Sequence, residues 1–262
     1  MMVFFAISLF VLGAILGSFV VANVGRAKRG DRSKWSHCLG CGKRLASKDL
    51  VPVVSWVRLR GRCRYCKAKI GYMEILGEVL MGVAFVLAYL FFPFSLGNPE
   101  NWMIFLIFLV LLVNLVFLGI FDAKYGLFPD KALTFAVICA IMYGVTAMVV
   151  SHSGGEGMVF DQLMNIAISV MILAGTYFFL YKVSNEKWVG SGDPILMLAV
   201  AIVLGHPFLA FVLLFLANFL ASIVAVPMIR LGRKQIPFGP FIVLAFFVVF
   251  LSQNLLMGIG LF

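Results

Sequence analysis

Apolar residues in this chain come in runs too long and too unbroken to be one face of a soluble helix. The runs fall at roughly 2–24, 72–94, 102–121, 132–150, 162–181, 193–205, 207–229 and 238–260. A helix needs about 20 apolar residues to cross the hydrocarbon core of a bilayer, so the pattern predicts an all-α, polytopic membrane bundle of about eight spans. The run at 193–205 is short. It reads as a tilted or partly broken helix, or as half of a re-entrant hairpin with the run that follows. Polar residues collect between the runs, and the largest polar segment is 25–71. The chain therefore divides into a first span, 1–24, a polar loop, 25–71, and a transmembrane core, 72–262.

Composition agrees with that division. Hydrophobic residues make up 63% of the chain, charged residues only 12%, and mean hydropathy is +1.08. A soluble domain carries about 25% charged residues, so a soluble fold is excluded. The net charge of +10 invites a nucleic-acid reading, but its placement argues against one. Fourteen of the 21 Lys and Arg lie between Arg26 and Lys69. The others are Lys124 and Lys131, Lys182 and Lys187, and Arg230, Arg233 and Lys234. With eight spans these are the loops after spans one, three, five and seven, and the intervening loops carry none. Basic loops stay on the cytoplasmic side. Both termini are thus expected outside, with the basic loops against anionic lipid headgroups and no nucleic-acid partner. Positive charge follows the first run instead of preceding it, so that run is expected to be a retained span, not a signal peptide. Gly13 and Gly17 on it form a small-xxx-small pattern suited to helix packing.

Four of the five cysteines fall in the loop, as Cys38-x2-Cys41, then 21 intervening residues, then Cys63-x2-Cys66. Two such pairs supply four thiolates for a tetrahedral zinc ion with no coordination position left for water. Zinc is therefore expected, in a structural role. Gly40 and Gly42 suit the tight turn at the first pair. The competing readings are a pair of disulfides, which rarely persist in the cytoplasm, and a redox dithiol. His37 reads as a solvated neighbour and Cys139 as a packing residue in the fourth span.

Acidic groups at membrane depth are costly and are functional candidates by default. Asp122 and Asp193 stand at ends of spans that the charge pattern places on one face. Two carboxylates held close cannot both ionise easily. One keeps a proton and acts as acid while the other activates water. Plainer roles compete with this. Asp193 before Pro194 has the look of a helix N-cap, Asp130 after Pro129 likewise, and Asp122 has Lys124 nearby as an ion-pair partner.

Several stretches resemble the type 4 prepilin peptidases, bacterial membrane aspartyl proteases of the Gly-x-Gly-Asp type. Gly17-Ser18-Phe19 resembles the family's Gly-Ser-Phe motif, and Arg26 falls where its Arg stands. Val21 occupies the position where the family usually has Asn, and the nearest Asn is Asn23. The segment Lys48 to Trp56, with Leu59-Arg60-Gly61-Arg62-Cys63, is similar to the family's stretch between its cysteine pairs. Glu78 falls on the family's Glu, without the Tyr-Pro that usually precedes it. Asp122 with Phe128-Pro129-Asp130 resembles the first aspartate motif, Gly190-Ser191-Gly192-Asp193 the second, and Ile236-Pro237-Phe238-Gly239-Pro240 the run that opens the last span.

The resemblance covers nearly the whole chain. It implies cleavage of the basic leader from prepilins and pseudopilins at the cytoplasmic face of the bacterial inner membrane, with Asp122 and Asp193 catalytic and Cys38, Cys41, Cys63 and Cys66 holding zinc. It also implies N-methylation of the new terminus with S-adenosylmethionine. No glycine-rich dinucleotide fingerprint is present, so the sequence does not locate the methyl donor. A peptidase without methyltransferase activity and a zinc-containing partner-binding membrane protein are the nearest alternatives. A transporter would show repeated halves and a midplane site, and neither is apparent.

Overall fold

The computed structural model describes residues 2–29, 35–38, 40–151, 156–186, 188–230 and 236–258. Arg32, Lys34, Lys187, Arg233 and Lys234, which contribute to the charge pattern, lie outside the described residues. The described chain is helical. Its extended pairing is limited to two isolated bridges, His37 with Arg44 and Arg62 with Lys69.

Two compact units divide the chain, residues 1–90 and 91–262. The first holds α1 (Met2–Arg29), a 3₁₀ turn (Ser47–Asp49), the short α2 (Val54–Arg58) and α3 (Tyr72–Leu90). A glycine seam joins α1 and α3. A Cβ at Gly13 would lie 2.7 Å from the Met81 carbonyl oxygen, and one at Gly82 would lie 2.9 Å from the carbonyl oxygen of Phe10. Gly17 meets Gly77 across the same seam, and Val21 covers Gly77. Without side chains at these points the two backbones approach closely, which is how helices associate where lipid removes the hydrophobic drive. The Gly13/Gly17 pattern is therefore a packing feature. Asn23 bonds back to its own helix at Phe19 O, 2.9 Å. The helix α3 ends at Leu90, short of the expected residue 94, because Pro93 disfavours helix in the residue before it.

The second unit holds α4 (Asn101–Tyr125), α5 (Asp130–Ser151), α6 (Glu156–Val170), a π-helical turn (Met171–Gly175), α7 (Thr176–Ser184), α8 (Asp193–Leu204), α9 (Pro207–Arg230) and α10 (Gly239–Gly258). Its core is aromatic. Phe108 stacks on Phe250 with centroids 4.1 Å apart, and Phe92, Phe105, Phe246 and Tyr143 close around them. The helix α9 shows its solvent plainly. Ala210, Ala217 and Ala221 are buried, while Phe211, Phe215 and Phe219 are exposed. Small residues, with Leu209 and Leu213, face protein and the large aromatic ones face outward, as expected where lipid is the surroundings.

Among the described residues, seven helices are long and apolar enough to cross a membrane, and the chain is a multi-pass membrane protein. The sixth apolar run, 193–205, forms α8, with 12 residues. At 1.5 Å per residue it rises about 18 Å, against about 30 Å of hydrocarbon. The expected short run is thus a short helix, ended by left-handed Gly205 (φ 59°). Nine of its residues are buried, because α5, α6, the π turn, α7, α9 and α10 all pack against it.

Candidate functional site

The second unit brings Asp122 and Asp193 to one place, and Phe128 is the piece that does it. Asp122 lies in the last turn of α4, which left-handed Gly126 (φ 66°) closes. The chain then turns back into α5, so Phe128 folds over the end of α4. A Cβ at Gly192 would lie 2.5 Å from Phe128 Cδ2. One at Gly239 would lie 2.7 Å from Phe128 Cζ and 2.9 Å from Asp122 Oδ2. One ring thus touches both the loop that carries Asp193 and the amide that binds Asp122. Neither glycine admits a side chain while the ring stays there.

Each carboxylate is buried, 4% exposed for Asp122 and 5% for Asp193. Each accepts one backbone N–H. The amide of Gly239, at the start of α10, donates to Asp122 Oδ2 at 2.7 Å. The amide of Gly190 donates to Asp193 Oδ2 at 2.9 Å. Asp193 Oδ1 is buried with no hydrogen-bond partner, and each carboxylate lies within electrostatic reach of the other.

This geometry decides among the plainer roles. Asp193 reaches back to Gly190 and makes no side-chain cap on α8. Lys124 lies 5.6 Å from the centroid of the Tyr125 ring, while Asp122 turns inward to Gly239. Asp130 is exposed. Two buried carboxylates within electrostatic reach of one another can divide one proton between them and polarise a water.

Tyr177 was not legible as a site residue. It is 2% exposed, its ring meets Phe238 edge-on at 5.9 Å, and it lies within reach of the Asp193 charge. Its only sequence signal is a tyrosine inside an apolar run.

The first unit carries the four cysteines, whose sulfurs all lie within 4.8 Å of one another. Cys38 Sγ and Cys66 Sγ are 3.7 Å apart. The edge of a tetrahedron with Zn–S bonds of 2.3 Å is about 3.8 Å, so the donor set fits a zinc-sized ion. The two pairs repeat one turn. Cys38 N–H bonds Lys43 O and Gly42 N–H bonds Cys38 O; Cys63 N–H bonds Ala68 O and Lys67 N–H bonds Cys63 O. Gly42 (φ 69°) and Lys67 (φ 61°) hold the equivalent left-handed position. The turn residue of the first pair is thus Gly42. Gly40 instead makes room for Ala68 and donates to Cys38 Sγ at 3.4 Å. Amide groups of Cys66 and Tyr65 hold the Cys63 thiol down to about 6. Cys66 is pushed up to about 11, because the Ala68 amide is outweighed by desolvation and by the neighbouring sulfurs of Cys41, Cys63 and Cys38. Crowded thiolates resist a second negative charge, and a divalent cation supplies the compensation they lack. His37 stays outside the cluster and Cys139 is buried in α5.

A second anchor ties this loop to α3. Glu78 is 7% exposed, and its Oε2 accepts the Val53 amide at 2.6 Å. Val53 sits at φ 61°, a costly conformation for a β-branched residue. Arg64 pairs with Asp49 at 2.5 Å beside it.

The Bacterial Peptidase A24 N-terminal domain family matches residues 11–92, nearly the whole first unit. Over 221 residues the chain is 30% identical to the prepilin leader peptidase/N-methyltransferase of Dichelobacter nodosus, covering 82% of this chain and 70% of that protein. This chain belongs to the prepilin leader peptidase/N-methyltransferase family. It is 26% identical to the family's Pseudomonas aeruginosa member over 82% of this chain and 71% of that one. It is also 27% identical to the Escherichia coli type 4 prepilin-like proteins leader peptide-processing enzyme, over 78% and 71%. No solved structure gives a match.

Proposed function

We propose that this chain cleaves the leader peptide from prepilins and pseudopilins, with Asp122 and Asp193 as an aspartyl pair. The observation that carries the reading is the junction at Phe128, where two buried carboxylates from distant helices meet, each held by a single backbone amide. One carboxylate accepts a proton from water as it attacks the scissile carbonyl. The other donates its proton to the carbonyl oxygen, and the amide nitrogen then leaves protonated. The pair titrates as a unit.

The basic loops, the zinc-holding cysteine loop and the aspartate pair face the cytoplasm of a bacterial inner membrane in this reading, and both termini face outward, with the short α8 counted as an eighth crossing beside the seven long helices. An apolar precursor helix remains in lipid while its leader enters the site. The four cysteines hold structural zinc. The family name supports N-methylation of the new terminus, with S-adenosylmethionine as methyl source. Among the described residues no glycine-rich nucleotide turn marks where that donor sits.

The test is cleavage of a prepilin by the purified, zinc-loaded protein beside its Asp193→Asn variant. Cleavage by the first and not by the second is expected. Equal cleavage by both would remove Asp193 from the chemistry.

A further inference from the structure

Buried polar groups in folded proteins are almost always paired, and an unpaired one calls for an explanation. Two lie beside the aspartate pair. Asp193 Oδ1 and the Tyr177 hydroxyl are both buried and both without a hydrogen-bond partner among the described residues. One is an acceptor and the other can donate. Asn218 approaches the hydroxyl without making a hydrogen bond of good geometry, and its amide already donates to Leu214 O at 2.7 Å.

Tyr177 packs near this place. Its ring packs edge-on against Phe238, whose neighbour Gly239 donates to Asp122. The π-helical turn Met171–Gly175 ends just before α7. A π turn inserts one residue into the helical register, which rotates the face that follows by about 100°. Such turns recur at functional sites.

We propose that Tyr177 is a positioning residue for Asp193, donating its hydroxyl hydrogen to a water that bridges to Oδ1. The bond holds the second carboxylate oxygen in a set direction, as Gly190 holds the first, and so fixes where the attacking water sits. The inference rests on the aspartyl reading above.

A donor to the charged form of a carboxylate favours that form. Its loss raises the carboxylate's pKa, so the acid limb of the kcat/KM profile moves to higher pH. Among the described residues, the titratable groups facing Asp193 are Asp122 from α4 and Tyr177 from α7; α5, α6, α9 and α10 add none. Asp122 is common to wild type and variant, so the difference between their profiles reports on Tyr177.

The experiment measures kcat, KM and the pH profile of prepilin cleavage for the full chain, Tyr177→Phe and Asp193→Asn, with thermal unfolding of each in detergent. Tyr177→Phe keeps the ring and its packing and removes an unpaired hydroxyl. A purely structural role therefore predicts unchanged activity and an equal or higher melting temperature. The proposal predicts a lower melting temperature, because a water-bridged hydrogen bond to a buried carboxylate is lost, together with a kcat about tenfold lower, an unchanged KM and an acid limb about one unit higher. A Tyr177→Phe enzyme with wild-type kcat and profile, beside an inactive Asp193→Asn, would overturn the role of Tyr177 alone. An active Asp193→Asn would overturn the aspartyl reading and this inference with it.

Discussion

The amide of Gly239 donates to Oδ2 of Asp122 at 2.7 Å across 117 residues of sequence. The bond exists because position 239 has no side chain. A Cβ there would press on Phe128 and on the carboxylate itself. Gly192 stands against the other edge of the same ring. Gly192 and Gly239 are therefore spatial requirements of one aromatic residue.

That relationship gives the first prediction. Gly239→Ala should lower prepilin cleavage about 100-fold, the scale of a displacement near 1 Å in a catalytic group, with the protein still folded. Adding Phe128→Leu should restore part of the loss by making room for the new methyl. Measured turnover of the single and double variants checks it, and an unaffected Gly239→Ala would contradict the account.

Asp122 and Asp130 should behave differently although both fall in one motif. Asp122→Asn should lose at least about 1,000-fold in kcat, and Asp130→Asn should stay near wild type, because Asp122 is buried against Gly239 and Asp130 is exposed. Equal losses in the two would show that burial does not mark the reactive carboxylate.

Metal analysis of the purified protein should find about one zinc per chain, as four cysteine ligands allow. Cys38→Ser or Cys63→Ser should abolish it, and Cys139→Ser should leave it intact. Retention of zinc by Cys63→Ser would place the metal elsewhere.

Glu78→Ala should loosen the segment around α2. The bond from Val53 to a carboxylate is worth about 1.5–3 kcal/mol, and it holds Val53 in a conformation it otherwise avoids. Faster amide exchange across residues 50–58, with zinc still bound, is the expected result. Val53→Gly should tolerate the same φ and keep the segment ordered. Unchanged exchange in Glu78→Ala would mean that the bond contributes nothing to order there.

Much of this was legible in the order of residues. Hydropathy is a local property, so unbroken apolar runs mark the membrane helices, and 193–205 stands out as short by counting alone. Cysteine pairs with two residues between them mark a tetrathiolate donor set, so the four-cysteine cluster was legible as well. The Gly-x-Gly-Asp and Ile-Pro-Phe-Gly-Pro runs marked two segments that the structure packs against Phe128, without saying why their glycines are needed.

Only the tertiary structure decided the rest. Whether Asp193 caps its helix or reaches back to Gly190 depends on a loop packed beneath Phe128. Whether Lys124 or Gly239 takes Asp122 depends on where α10 begins in space. Which turn residue serves each cysteine pair depends on φ, and Lys67 shares the position of Gly42 although its identity gives no hint of it. Tyr177 carried no pattern, since one tyrosine in an apolar run is ordinary until its hydroxyl is found buried, unpartnered and within electrostatic reach of Asp193. Sequence periodicity reports which face of a helix is apolar. It does not report which residues from distant helices share one enclosed space, because that is set by close packing between elements.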